Sequence, residues 1–366
     1  MSVSVSPQLT RMRRVAQEVS EELAKNKDVV GVILVGSVAS GKTHEKSDID
    51  LIVISNLPKK RLPSSEFRAI EDFELEIHYN SAEHFQHTFD DEQYRDKGFA
   101  WFSANFCMQT LRDGMILQDT EGRLSAWKEK ASIWRWRSSE IQPLFAQSRS
   151  LLQASQDRLE KGDKFAGLVT LRDAITPLSS ALMMRLDLPS YWRPKDQSLE
   201  VPQLEDKYPE LVRLFYEIHS VRNISSEWLR ASLEDLARLM KESCWDQGLQ
   251  LHMKGATGCL EKGNLVGSLL CARRATYCLG IEILNQRGNK TPRYMFHAPT
   301  QLKVIDRTKE QEPGFYMAYR NIHRTQQWSR GSLLEASIKL SQLIRLRREI
   351  DLEEDTGGLV DVRLER

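Results

Sequence analysis

Between two strongly apolar stretches the chain carries Gly36-Ser37, ten further residues, and then Asp48-Ile49-Asp50, in the run GSVASGKTHEKSDIDLIVIS. Val29 to Val35 is apolar and β-branched and reads as a buried strand. Gly36-Ser37 breaks that pattern, a Gly/Ser/Lys/Thr-rich loop follows, and a second strand is expected from Asp48 to Ser55. Side chains alternate along a strand, so Asp48 and Asp50 share a face while Ile49 and Leu51 turn into the core. Two like charges side by side repel, and a cation between them removes the penalty. Hard carboxylate oxygens suit Mg²⁺, which takes one or two carboxylates together with substrate phosphates. On the loop side, Gly36 lets the backbone approach closely. The Ser37 hydroxyl and nearby N–H groups suit a phosphate. Lys42 and His44 lie on the same loop, as phosphate contacts or as ordinary solvated charges.

A third acid is expected on a neighbouring strand, within Phe73-Glu74-Leu75-Glu76-Ile77-His78-Tyr79. Phe73, Leu75, Ile77 and Tyr79 fall on one face and Glu74, Glu76 and His78 on the other. Glu76 is central, anchored by Leu75 and Ile77; Glu74 is the competitor, and His78 reads as a neighbour rather than a ligand. The plain alternative is an edge strand with a wet face.

The Gly-Ser, the ten-residue gap, the Asp-x-Asp and the later strand acid resemble the DNA polymerase β-like nucleotidyltransferase superfamily. Within it, the chain is most similar to the minimal and antibiotic-modifying enzymes. The segment Leu75 to Glu83 resembles the third-acid strand of the kanamycin nucleotidyltransferase type. The resemblance covers about residues 10 to 130. It implies a catalytic and metal-binding triad of Asp48, Asp50 and Glu76, with Gly36, Ser37 and Lys42 toward the nucleotide. It implies two Mg²⁺ ions and ATP or another nucleoside triphosphate, with a nucleoside monophosphate passed to a hydroxyl acceptor and pyrophosphate released. The alternatives are an antitoxin-type enzyme that modifies a protein or RNA, and an inactive nucleotide-binding module.

The length, 366 residues, suggests two or three domains, enough to bury a sizeable core. A net charge of +1 gives no global field for nucleic acid, which favours a small-molecule acceptor over RNA. The short basic clusters Lys59-Lys60-Arg61 and Arg345 to Arg348 read as solvated faces. The five cysteines, Cys107, Cys244, Cys259, Cys271 and Cys278, lack zinc-type spacing and point to unpaired thiols in a reducing cytoplasm. Neither a signal peptide nor a membrane span is expected.

The expected fold class is α+β: an N-terminal mixed sheet with flanking helices over residues 1–130, then duplicated all-α bundles. A helix is expected near 8–25, strands near 29–36, 48–55, 73–80 and 115–117, and helices over 81–95, 100–112 and from about 123. Trp134-Arg135-Trp136-Arg137 could stack a base, but interdomain packing is the favoured reading.

Leu159-Glu160-Lys161-Gly162 recurs as Leu260-Glu261-Lys262-Gly263, and Leu168, Arg172, Ala174 and Leu178 match Leu269, Arg273, Ala275 and Leu279 at the same offset of 101. Phe215, Tyr216, Trp228 and Arg230 match Phe315, Tyr316, Trp328 and Arg330 at an offset of 100. That pattern implies two helical copies, 146–244 and 245–348, with a tail at 349–366. Arg172 and Arg273 read as phosphate contacts or as helix-face caps. The copies resemble the bundles that follow the catalytic domain in antibiotic nucleotidyltransferases, and also HEPN domains. Arg222-Asn223, followed by Glu227, and Arg320-Asn321, with His323 two positions early, depart from the HEPN ribonuclease pattern, so a non-nucleolytic role is expected. The helical copies are expected to form the other wall of the cleft and to choose the acceptor, the second copy standing in for a partner subunit, with a monomer or a homodimer as the expected state.

Overall fold

Apolar alternation organises the first part of the chain into a five-stranded sheet with helices on both faces, as a computed structural model shows. The structure describes residues 6–41, 43, 47–63, 65–91, 93, 100–190, 193–221, 224–241, 247–291 and 297–355, the side chains of 100–103, 247–248 and 346–355 apart. Two compact units divide the chain, Met1–Glu140 and Ile141–Arg366.

In the first unit the strands are β1 (Val29–Val35), β2 (Ile49–Ser55), β3 (Glu66–Ile70), β4 (Phe73–Ser81) and β5 (Met115–Asp119), in the order β3-β4-β2-β1-β5. β2 and β4 are parallel and every other neighbouring pair is antiparallel, so the sheet is mixed. Helix α1 (Pro7–Leu23) starts at a Ser6 cap, with Pro7 in its first turn. Its Leu9, Met12, Val15 and Val19 bury against Leu34, Ile49, Leu51, Leu75 and Ile77 on one sheet face. The opposite face, through Ile33, Ile52 and Ile54, is covered by α3 (Ala82–Asp90), α4 (Ala100–Asp113) and α5 (Arg123–Ser132). The one-turn helix α2 (Gly36–Ser40) follows β1 directly.

Trp134 belongs to this second layer. It is buried, with its ring 5.6 Å from Phe89 and edge-on to it, and Trp136 stands 5.7 Å from Trp134. The Trp-Arg-Trp-Arg segment therefore includes part of the N-terminal unit's own core, which corrects the expectation of interdomain packing. Strand β3 was not expected from sequence. Its Phe67 is exposed, so the segment lacks a clear apolar stripe.

The second unit is helical: α6 (Ser138–Glu160, its first three residues closing the first unit), α7 (Lys164–Arg185), α8 (Pro194–Glu200), α9 (Pro209–Ile218), α10 (Ser226–Lys241), α11 (Gln247–Glu261), α12 (Leu265–Gln286), α13 (Ala298–Gln311), α14 (Pro313–Ile322) and α15 (Arg330–Asp355). Two helix starts in this unit are built alike. Asp163 and Asn264 cap α7 and α12 through the same third-residue N–H, after Gly162 and Gly263 in the left-handed conformation.

Past α12 the register changes. α9 and α14 both run ten residues from a proline and both end at an isoleucine and a histidine, followed by left-handed Ser220 and Arg324. Pro209 and Pro313 are 104 positions apart, so Phe215 aligns with Tyr319 and not with Phe315. The segment between α12 and α13 is three residues longer than that between α7 and α8. The sequence matches at an offset of 100 are thus about one helical turn out of step, a slip that keeps residues on the same face.

The arginines of the two copies cross-brace. Arg172 donates from Nε to the Ile218 carbonyl (2.6 Å) and from Nη1 to His323 Nδ1 (3.1 Å) and its carbonyl (2.8 Å). Arg273 donates to the Ile322 carbonyl and to His219 Nδ1 and its carbonyl, each at 3.2 Å. Both histidines are buried against arginines. Arg222-Asn223 lies outside the described residues. The described free cysteines are Cys107, Cys259, Cys271 and Cys278; Cys244 lies outside. No described helix is long and apolar enough to cross a membrane.

Candidate active site

The parallel pairing of β2 with β4 builds the site. Ile49 faces Leu75 and Asp50 faces Glu76 along the two strands. Ile49 and Leu51 are buried toward α1, which turns Asp50 to the other face, at the end not covered by α3 to α5. Asp48 stands just ahead of β2. Each of Asp48, Asp50 and Glu76 offers a carboxylate oxygen, and these three oxygens lie within 4.8 Å of one another. All three residues are half-buried. Glu74, the competing acid, is exposed and stands outside the cluster.

The turn after β1 closes on this cluster. Gly36 has φ +74°, and a Cβ there would sit 2.4 Å from Asp50 Oδ2. Only glycine combines that backbone with that approach. α2 is held in place from behind: the Arg13 guanidinium donates to the Val38 and Ala39 carbonyls at 3.1–3.2 Å, and Ser40 Oγ donates to the Gly36 carbonyl at 3.0 Å. Ser37 is half-buried on the same turn. Lys42 and His44 lie outside the described residues.

His78, one strand period past Glu76, pairs with it through Nε2 (3.1 Å), and its Nδ1 meets Ser65 Oγ at 2.9 Å. The Glu76 carboxylate raises the imidazole's proton affinity above its ordinary value, burial opposes this, and the charges of Glu76 and Asp50 add to the rise. Sequence reading placed His78 beside the site without a role. The period-two spacing from Glu76 was the available signal. Arg13 carried no signal, because its contact is with backbone carbonyls brought near only by folding.

The donor set is all oxygen, as hard divalent cations require. With their oxygens within 4.8 Å of one another, Asp48, Asp50 and Glu76 are the residues that would hold such a cation, which would supply Lewis-acid chemistry there. Residues 12–100 match the family described as the nucleotidyltransferase domain. Over these residues the chain is similar to nucleotidyltransferase domains. Among solved structures, a nucleotidyltransferase-like protein from Exiguobacterium sibiricum 255-15 matches over 82% of this chain and 91% of that one, at 11% identity and a TM-score of 0.39. No curated protein sequence matches the chain. The domain match begins within α1 and ends at the start of α4, so it takes in the acidic cluster, the Gly36 turn and the strands that carry both.

Proposed function

We propose that the protein transfers a nucleoside monophosphate, AMP from ATP, to the hydroxyl of a small molecule and releases pyrophosphate. What carries the reading is the gathering of Asp48, Asp50 and Glu76 beside a glycine turn inside a nucleotidyltransferase domain. Asp48 and Asp50 would hold Mg²⁺, with Glu76 completing the set on the acceptor side. When bound, the ions supply Lewis-acid polarisation of the α-phosphate and neutralise charge on the leaving pyrophosphate. The Gly36-Ser37 turn leaves room for the triphosphate and offers it backbone N–H groups and a hydroxyl, with Lys42 further along the loop. The acceptor hydroxyl attacks the α-phosphorus in line, the bond to the bridging oxygen of pyrophosphate breaks, and Glu76 takes the hydroxyl proton. His78 fixes the Glu76 carboxylate and keeps it aimed into the cluster.

Incubation with α-labelled ATP and Mg²⁺, with a cell extract split into small-molecule, protein and RNA fractions, tests this. Label entering the small-molecule fraction, with stoichiometric pyrophosphate, is expected. Label entering protein or RNA instead would change the acceptor. Label in no fraction with any of the four nucleotides would overturn the activity.

A further inference from the structure

The helical unit holds buried chemistry that nucleotidyl transfer does not use. A cavity of about 60 Å³ opens among α7, α8, α12, α13 and α14. Three guanidinium groups, Arg172, Arg273 and Arg274, line it against a single carboxyl, Asp173. Arg172 and Arg273 are almost wholly buried. Their hydrogen-bond partners are neutral: the Ile218 and Ile322 carbonyls, the two histidines and the Ser220 hydroxyl. Among the described residues, none of the three arginines lies within ion-pair distance of a carboxylate. Burial pushes the Asp173 carboxyl up to about 7 against the downward pull of Arg274, Arg172 and Arg273, and one carboxyl in any case offsets only part of three positive charges. Arg324 adds a further positive field at Arg172 and Arg273. Buried cations left without an anion are costly.

The residues that line the cavity also carry buried hydrogen-bonding atoms without a protein partner. His219 Nε2, the Tyr319 hydroxyl, Arg274 Nε and Gln301 Oε1 are buried and have no partner. His219 and Tyr319 are 4% and 0% exposed. Arg273 donates to His219 Nδ1, so the imidazole proton sits on Nε2, which is a buried donor without a protein partner. Three donors and one acceptor thus await a ligand. Buried groups of this kind are normally satisfied, and their clustering beside uncompensated cations specifies the missing partner as an anion rich in acceptor oxygens. An ordered water needs about 10–15 Å³ of such space, so the cavity has room for a few waters or for one tetrahedral oxyanion.

We propose that this cavity is an oxyanion site that binds a phosphate group, with Arg172, Arg273 and Arg274 supplying charge and Tyr319 and His219 supplying the remaining donors. The duplication explains its construction. The two copies bring equivalent arginines to one place, where each arginine is braced by the other copy's histidine, and the anion relieves the repulsion between them. A protonated phosphate oxygen would in turn serve Gln301 Oε1.

The test uses the full chain and inorganic phosphate, with sodium chloride at matched ionic strength as control. Phosphate is expected to raise the thermal midpoint and to show saturable heat in calorimetry, and chloride to do neither. Asp50→Asn, which alters only the acidic cluster, should leave phosphate binding intact. Arg274→Gln should weaken it about tenfold or more, and Tyr319→Phe, which removes one hydroxyl from an otherwise unchanged ring, about three- to tenfold with the helical circular dichroism preserved. AMP that competes for the site assigns the bound group to a nucleotide phosphate, and AMP that does not assigns it to free phosphate. The proposal is overturned if phosphate acts no differently from chloride. It is also overturned if Asp50→Asn abolishes the effect while Arg274→Gln and Tyr319→Phe retain it.

Discussion

At the scale of single residues, Gly36 joins backbone geometry to chemistry. Its left-handed φ and the 2.4 Å approach of a virtual Cβ to Asp50 Oδ2 leave no room for a side chain. Gly36→Ala is expected to cost about 1–2 kcal/mol for the backbone alone. It should also push the Asp50 carboxylate out of the cluster, lowering pyrophosphate release about 10²-fold with the protein still folded. A second residue-scale expectation concerns His252 on α11, whose imidazole is held down from 6.5 to about 4, by burial first and by the Arg274 charge second. Between those values the folded state keeps it neutral while the unfolded chain protonates it. Stability is therefore lost as pH falls through that window, by up to about 1.4 kcal/mol per pH unit. His252→Gln should flatten that part of a denaturant-monitored pH profile. The paired aspartates were legible in the sequence because they sit two residues apart at the start of one short strand, Asp48 just ahead of it and Asp50 within it. The choice of Glu76 over Glu74 depended on pairing with β2, a non-local fact that period-two alternation alone leaves open.

At the scale of elements, the sheet is readable where burial is one-sided. β1, β2 and β4 carry clean apolar faces and were expected. β3 is a five-residue edge strand whose Glu66 and Arg68 bond each other at 2.6 Å and whose Phe67 faces outward, so it lacks the pattern that marks a strand. Trp134 was misassigned for a related reason: an aromatic-basic run looks alike whether its rings close a core or wait at a surface. α1 is the element that backs the site strands, and Met12 at its centre is fully buried. Met12→Ala should destabilise the protein by about 2–5 kcal/mol, read as a lower thermal midpoint.

Across the whole molecule, the helical half repeats local features of caps and turns where its sequence recurs. Asp163 and Asn264 each accept from the N–H three residues on, so Asp163→Ala and Asn264→Ala should each cost about 1 kcal/mol in denaturant unfolding. A large difference between them would show that the copies are not equivalent in energy. The sequence carried the duplication because cap, glycine and core residues recur, but it misaligned the later helices. A four-residue slip preserves the buried face, so identity matches alone do not distinguish the registers. The sequence left Arg172 and Arg273 open between phosphate contacts and helix-face caps. Arg172 and Arg273 lie on helices buried on most faces, and only folding brings each to the other copy's histidine.

If Asp48, Asp50 and Glu76 together hold divalent cations for a triphosphate, losing one carboxylate weakens that binding. Calorimetric titration of the full chain with Mn²⁺ and a non-hydrolysable ATP analogue, for wild type and Asp50→Asn, tests it most directly. Saturable binding by wild type and a loss of at least about tenfold in the variant, with unchanged circular dichroism, is the predicted result. Equal binding by both proteins would contradict it.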